Sequence, residues 1–312
     1  MLRSACAAPV AVRARYGDVA VYLACTAFAV ATLAVAPFFD YRVWAAIALP
    51  GYLFGLVQSS AVVSYGTDGG RWLTSRQAPI AVITLLSMVI PLCVLVITRV
   101  HRAPWSEQPE VWVVERSTQL LLRHGTPYTD LATLGRPPVV NDYTPYGPAM
   151  TVFGLPRALF GVSPLTDARV AFAVCAVLAV AAALWLTGSP HLPIRALQFV
   201  VACPLAALSV AVAGDDVAII GLLLLALALL HRARPAWCAA IVTVAVSVKL
   251  TAVPALIVIG IAVLAMLGRR AFGRFALTVL GLGAVLNVPV LLVDPGSVVE
   301  HVIRFPIGLG KA

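Results

Sequence analysis

The residues best suited to chemistry lie in a polar stretch, residues 105–161, that interrupts an otherwise apolar chain. The stretch carries five of the thirteen carboxylates in the sequence, and Glu110, Glu115 and Asp142 are among them. Carboxylates can accept protons from a substrate. Any chemistry of this protein is therefore expected in this stretch, and the rest of the chain is expected to hold it at a membrane surface.

Three further charged residues lie at the ends of apolar segments. Asp215 and Asp216 open one such segment, where neighbouring acidic groups are costly unless water, a metal or sugar hydroxyls contact them. The alternative role is helix capping, which one aspartate can perform alone. The pair could also bind a hard divalent ion, although the sequence shows no complete ligand set. Lys249 ends another apolar run, where it either extends to the membrane interface or meets an anionic phosphate.

The composition predicts a membrane protein with many spans. Hydrophobic residues make up 61 % of the 312 residues and charged residues only 11 %. This is more apolar surface than a soluble globular protein needs to build its core. The net charge of +9 comes from short basic clusters between apolar runs, which is the pattern of topology signals. A nucleic-acid partner is therefore not expected.

The apolar runs predict an all-α fold, a polytopic bundle of about nine transmembrane helices with short interfacial helices in an outer loop. Residues 1–78 are expected to form a cytoplasmic tail and two extra spans, and residues 79–312 a membrane core that includes the outer loop 99–167. The predicted spans are 19–38, 43–63, 79–98, 168–186, 194–212, 217–230, 236–248, 252–267 and 275–293.

The distribution of charge predicts the orientation. With the N-terminus in the cytoplasm, the basic clusters from Arg3 to Arg274 fall on the cytoplasmic side, and only Arg42 lies in a short outer loop. All carboxylates except Asp18 and Asp68 then lie at the outer face. We therefore expect a multi-pass protein of the cell membrane with an acidic working surface outside.

The outer loop has helical signals of its own. Pro109 suits a first helical turn, Glu110 suits the positive end of the helix dipole, and Gly125 is placed to stop the helix. These signals predict an interfacial helix from Pro109 to Arg123. A second apolar segment, residues 149–160, is too short to span and is expected to dip into the membrane or lie flat on it.

Several motifs together resemble one enzyme family. An acidic residue near a short outer helix precedes GTPY, and then come YTPYGPAMTVFGLP, AGDDVAIIGLLLLAL and VSVKLTAVPALIV with its Lys249 and Pro254. Their order resembles the GT-C superfamily of glycosyltransferases that use polyprenyl-phosphate sugars, and is most similar to the bacterial α-mannosyltransferase branch. Because members of this branch usually continue through more spans, the chain is also expected to be C-terminally truncated.

The resemblance implies an inverting hexosyl transfer, with mannose favoured, from a polyprenyl-phosphate donor to an envelope lipid or glycan at the extracytoplasmic face. A loop carboxylate would be the general base. The family usually has Asp there, whereas this sequence offers Glu110, which best fits the spacing to GTPY, Glu115, and Asp142 as a rival. Each has an alternative role: a partner of the helix dipole for the glutamates and a turn former for Asp142.

The expected substrate contacts are Tyr143, Tyr146, Asp215, Asp216 and Lys249. No cofactor is certain, a divalent metal stays open, and the lipid-linked sugar, the acceptor and the bilayer are the expected partners. Two other classes also stay open: a transporter or lipid flippase, and a non-catalytic envelope assembly protein. Against transport, no convincing internal repeat is visible, and the polar residues gather at one face.

Overall fold

The computed structural model describes residues 7–65, 75–189 and 192–310 of the chain. Arg3, Asp68 and Arg71, which contributed to the predicted topology, lie outside the described residues. Every described element is helical, which confirms the predicted all-α class. The main helices are α1 (Ala7–Val35), α2 (Phe39–Tyr65), α3 (Gln77–Val100), α4 (Pro109–His124), α5 (Leu155–Phe160), α6 (Ala168–Thr187), α7 (Ile194–Ala202), α8 (Pro204–Val212), α9 (Asp215–His231), α10 (Pro235–Val248), α11 (Val253–Leu267), α12 (Arg269–Val293) and α13 (Pro295–Val298), which continues as a π-helical turn, Val299–Arg304.

The count of nine spans is not confirmed. By length and composition, six described helices can cross a membrane (α1, α2, α3, α6, α11 and α12), or seven if α7 and α8, which meet at 44°, form one bent span. The segments left out are short. Helix α10 has 14 residues and is therefore about 21 Å long, which is shorter than the hydrocarbon core of about 30 Å. Helix α9 begins with two aspartates. Hydropathy predicts the positions of these helices correctly, but their length and composition do not qualify them as spans.

The chain forms two compact units. The first contains Met1–Glu107 and Leu192–Val212, and the second contains Gln108–His191 and Ala213–Ala312. In the first unit α1 packs along α2, and the buried indole of Trp44 donates a hydrogen bond of 2.8 Å to the carbonyl oxygen of Ser87 in α3. All predicted site residues lie in the second unit.

Small residues bring α6 and α9 of the second unit into close contact. A Cβ atom built on Gly221 would lie 2.9 Å from the Cα atom of Ala176 and 3.2 Å from its carbonyl oxygen. Only glycine permits this approach, as is common where membrane helices pack without a hydrophobic driving force. The pair fixes the position of α9, whose first turn carries Asp215 and Asp216.

Residues 108–167, most of the loop predicted to lie outside, fold onto these helices. Helix α4 begins with Pro109 at its first position and ends at Gly125, whose φ of 74° is left-handed, so the predicted loop helix is confirmed. The short apolar segment is helical as well, a 3₁₀ turn from Pro148 to Gly154 followed by α5. A Cβ atom on Gly154 would lie 3.0 Å from the Cα atom of Glu115, so this glycine allows the segment to lie directly on α4.

We predict that Gly221→Ala destabilises the protein by about 1–3 kcal/mol, because the added methyl group meets helix backbone that cannot move aside. Thermal unfolding in detergent, followed by tryptophan fluorescence, measures the effect. The matched control is Gly281→Ala in α12, where a Cβ atom would meet nothing within 4 Å. Equal melting temperatures for the two variants would contradict the tight α6–α9 contact.

Candidate functional site

The ends of two successive helices bring three predicted site residues together. Asp215 and Asp216 form the first turn of α9, after the left-handed Gly214, and Lys249 follows the last turn of α10 in an extended conformation. The ammonium nitrogen of Lys249 donates to Asp215 Oδ2 at 2.8 Å and to Asp216 Oδ1 at 2.6 Å. Burial lowers the pKa of Lys249, but the two aspartates outweigh burial and raise it above the ordinary value. The lysine therefore stays charged.

Tyr146 from the outer loop covers this cluster. Its ring centroid lies 5.6 Å from Lys249 Nζ, and its backbone oxygen accepts a hydrogen bond of 3.1 Å from the hydroxyl of Tyr128. Burial raises the pKa of Tyr146, and the negative charges of Asp215, Glu110 and Asp216 raise it further. The phenol thus stays protonated and is a donor facing a group of carboxylates.

A carboxylate oxygen of Glu110 is buried without a donor among the described residues. The residue lies in the first turn of α4, where the helix dipole favours its charge, and it is close enough to Tyr146 to affect the pKa of the phenol. Its Oε2 atom is buried, and no described residue donates a hydrogen bond to it. Burying an acceptor atom costs free energy unless a ligand or a water molecule donates a hydrogen bond to it.

Glu115 is engaged in holding the loop. It is only 4 % exposed. Its Oε2 atom pairs with Arg157 Nε of α5 at 3.0 Å, and its Oε1 atom accepts a hydrogen bond of 3.2 Å from the backbone N–H of Ala168. The side chain thereby links α4 to α5 and to the start of α6.

Asp142 is engaged in a turn. Both its carboxylate oxygens accept hydrogen bonds from Arg136, at 2.7 and 2.8 Å, and one also accepts from the backbone N–H of Val139. Chiefly because of Arg136, the pKa of Asp142 lies below its usual value. Arg116 of α4 donates to the backbone oxygens of Asn141 and Asp142, so the turn is anchored to the helix.

His301 fixes the backbone that leads to Tyr146, and sequence analysis missed it. Its Nδ1 atom accepts a hydrogen bond of 2.9 Å from the backbone N–H of Thr144, so we assign the ring proton to Nε2, which lies 2.9 Å from the carbonyl oxygen of Thr129. Tyr143 stacks on Phe305 with 4.1 Å between ring centroids and also contacts the His301 ring. No sequence pattern links His301 to Thr144, because 157 residues separate them.

An apolar groove of about 1030 Å³ lies beside the charged cluster. It is lined by the segment after Tyr146 and by residues of α4, α6, α9, α10 and α12, and among its lining residues only Thr151 and Cys175 carry polar side-chain atoms. Pro148 and Val248 line it, and each is close in sequence to a cluster residue, Tyr146 and Lys249 respectively. The backbone N–H of Gly147 donates to the oxygen of Val248 at 3.0 Å, which joins the groove wall to the cluster.

The described residues do not include a group of three or more His, Cys, Asp or Glu side chains that could hold a metal ion. The ammonium group of Lys249 pairs with both Asp215 and Asp216, the two carboxylates that the sequence leaves open to a divalent ion.

We predict that the protein loses stability as the pH falls below about 6.5, the ordinary pKa of histidine. Burial holds the pKa of His301 below that value in the folded protein, so the unfolded chain takes up a proton at a higher pH than the folded chain does. Melting temperatures at pH 8 and pH 5.5 test this. His301→Gln should reduce the pH dependence, whereas His124→Gln, at an exposed residue, should not. An unchanged dependence in His301→Gln would contradict the assignment.

Comparison with known proteins gives one match. A family model described as glycosyltransferase family 87 matches residues 143–302, just over half of the chain. The matched region contains Tyr146, Asp215, Asp216 and Lys249, and it ends one residue after His301. No curated protein and no solved structure matches the chain.

Proposed function

Because the chain belongs to glycosyltransferase family 87, we propose that it is a membrane hexosyltransferase of the inverting GT-C type. The donor is a polyprenyl-phosphate sugar, with mannose favoured, and the acceptor is an envelope lipid or glycan at the extracytoplasmic face of the cell membrane. The N-terminus is cytoplasmic. The observation that carries the proposal is the cluster of Lys249, Asp215, Asp216 and Tyr146 near an apolar groove.

Lys249 is the proposed contact for the donor phosphate. An ammonium group has three N–H donors, and two of them bond to Asp215 and Asp216. The third is available to an oxygen of the phosphate. The two aspartates hold the ammonium in place and keep it charged, and the more exposed Asp216, with 59 % of its side chain accessible, can accept hydrogen bonds from sugar hydroxyls.

Glu110 is the proposed general base. It takes the proton of the acceptor hydroxyl while the oxygen bonds to the anomeric carbon, and the bond from that carbon to the phosphate oxygen breaks, leaving its electrons on the phosphate. A base must have an acceptor atom within reach of the substrate. The Oε2 atom of Glu110 accepts no hydrogen bond from a described residue, whereas Glu115 and Asp142 already pair with Arg157 and Arg136. We therefore assign these two to positioning the loop.

The groove is the proposed site of the isoprenoid chain. Pockets for drug-sized ligands have volumes of about 300–1000 Å³, so a groove of about 1030 Å³ can hold a long apolar chain. Because Val248, which lines the groove, precedes Lys249, a chain bound there would have its head near the charged cluster. Burial of isoprenoid carbons there stabilises the complex by about 25 cal/mol for each Å² of apolar surface removed from water.

We predict that Glu110→Gln lowers kcat by about 100-fold or more, because general bases typically contribute 10²- to 10⁴-fold. The KM for the donor should change little, since glutamine keeps the shape of the side chain. The assay follows transfer of radiolabel from polyprenyl-phosphate mannose, and in parallel from the glucose analogue, in membranes that contain the protein.

Glu115→Gln and Asp142→Asn are the controls, and each should retain activity to within about tenfold of wild type, as expected of groups that position rather than react. Full transfer by Glu110→Gln, with loss in a folded Asp142→Asn or Glu115→Gln, would move the base to that residue. Movement of a labelled solute across the bilayer with no sugar transfer would favour the transporter hypothesis, and the absence of both would favour an assembly protein.

We predict that Val174→Trp raises the KM for a long-chain donor about tenfold and leaves the KM for a short-chain donor analogue nearly unchanged, because the indole occupies the groove. Val174 lines the groove on α6. Val177→Trp is the matched control, because Val177 lies on the same helix, is exposed and does not line the groove. Equal KM values for the two variants would show that the chain binds elsewhere.

A further inference from the structure

A small cavity lies in the second unit at the end of α9 that is far from the charged cluster. Its volume is about 240 Å³, and its lining residues come from the last turns of α6 and α9 and from the turn before α10: Trp185, Leu186, Leu229, Arg232 and Arg234. We name it the arginine cavity. Because α9 has 17 residues, its two ends are about 25 Å apart. The arginine cavity is therefore separate from the site assigned to catalysis.

The turn between α9 and α10 holds both arginines at the cavity. Ala233, which lies between them, has a φ of 52°, in the left-handed region where glycine is the usual residue after a helix. The backbone N–H of Arg234 donates to the carbonyl oxygen of Leu229 at 2.9 Å, and Pro235 starts α10. The backbone is thus fixed on both sides of Ala233, and Arg232 and Arg234 line the same cavity.

The arginine cavity carries two positive charges, because a guanidinium group is not deprotonated in proteins. Arg232 and Arg234 are both exposed. In the part of the chain that the structure describes, neither side chain forms a hydrogen bond or an ion pair. Pro190 and His191, which come shortly after α6 and lie outside that part, carry no carboxylate. The cavity therefore attracts an anion.

The arginine cavity lies at the end of a helix that can span a membrane. Helix α6 is one of the six such helices, and Trp185 lies in its last turn with 80 % of its surface exposed. Trp237, three residues after Arg234, is also exposed. Exposed tryptophans near the ends of apolar helices are typical of the membrane–water interface. Lipid headgroups lie at this interface, so the two guanidinium groups are within their reach.

We propose that the arginine cavity binds the phosphate of an anionic membrane phospholipid, with phosphatidylglycerol as the representative headgroup. Planar guanidinium groups present paired N–H donors that match two phosphate oxygens. Basic pockets between membrane helices bind anionic headgroups in the same way. The proposal does not depend on the transfer reaction.

The lining and the size of the cavity favour a lipid over a free phosphate. Trp185, Leu186 and Leu229 form the apolar part of the lining. They suit the glycerol and the first acyl carbons of a lipid, which a free phosphate lacks. The volume of about 240 Å³ is below the roughly 300–1000 Å³ of pockets for drug-sized ligands. The cavity therefore suits a headgroup, with the acyl chains outside it.

The test measures the binding of phosphatidylglycerol to the purified full chain in neutral detergent. Thermal unfolding, followed by circular dichroism, is recorded while phosphatidylglycerol or phosphatidylcholine is added. A ligand that binds the folded protein raises its melting temperature, so phosphatidylglycerol should raise it to a plateau and phosphatidylcholine should not. Inorganic phosphate should compete no better than sodium chloride of equal ionic strength.

Arginine variants test the charge of the cavity. Arg232→Gln should weaken the apparent affinity for phosphatidylglycerol about tenfold or more, the effect of losing one charge-assisted hydrogen bond. Arg232→Lys should bind better than Arg232→Gln, because it keeps the charge. The matched control is Arg270→Gln, at an exposed arginine of the same unit that does not line the cavity. It should leave the affinity unchanged.

A second pair of variants tests the location without changing any charge. Leu186→Trp should weaken phosphatidylglycerol binding, because the larger side chain fills the cavity. Leu184→Trp is its control, at a residue of the same helix that is also partly buried but does not line the cavity. Melting temperatures without lipid show whether each variant is folded.

Three results would overturn the proposal. The first is an equal effect of the two lipids, and the second is an equal affinity of Arg232→Gln and Arg270→Gln, which would indicate general attraction of charge. The third is unchanged binding by a folded Leu186→Trp. Competition by inorganic phosphate beyond that of sodium chloride would overturn the lipid assignment and identify a site for free anions.

Discussion

The second unit depends on the sharing of one lysine between two aspartates. Asp215 and Asp216 open α9, and Lys249 closes α10, the next helix in the chain. These helices are antiparallel neighbours, so the charged groups at their ends face one another. Each group alone would be costly near a bilayer. Together they form two hydrogen-bonded ion pairs of 2.6–2.8 Å, which makes short helices with charged ends tolerable at that position.

The loop that carries Tyr146 lies on this cluster. A Cβ atom on Gly147 would overlap the carbonyl group of Ser247, and its backbone N–H bonds to Val248. Any other residue would lift the loop from the end of α10. The ion pairs of Glu115 and Asp142 brace this loop internally, and His301 holds it from a segment outside the loop. Tyr146 is thus positioned by backbone and ion-pair contacts rather than by burial alone.

The sequence predicts the local features of this arrangement. Proline at the start and glycine at the end define α4, and the charges at the helix ends identify Asp215, Asp216 and Lys249. What it does not predict are contacts between distant residues, such as Thr144 with His301 or Glu115 with Arg157. Periodicity places Glu115 on a polar face of α4, but it contains no information about which helix will cover that face. The count of nine spans is not confirmed for a related reason, because an apolar run predicts burial in an apolar environment but does not reveal whether that environment is lipid or protein.

The charge of the site matters for the proposed chemistry. Glu110, Asp215 and Asp216 carry three negative charges against the one positive charge of Lys249, so these groups sum to −2. An anionic donor gains little from such a field in the ground state. Positive charge develops on the sugar ring in an oxocarbenium-like transition state, and the same field then stabilises it. Interactions that strengthen only in the transition state accelerate the reaction rather than tighten binding. A site with an excess of carboxylates and one firmly held cation therefore suits the breaking of a glycosyl phosphate bond better than it suits tight retention of the phosphate.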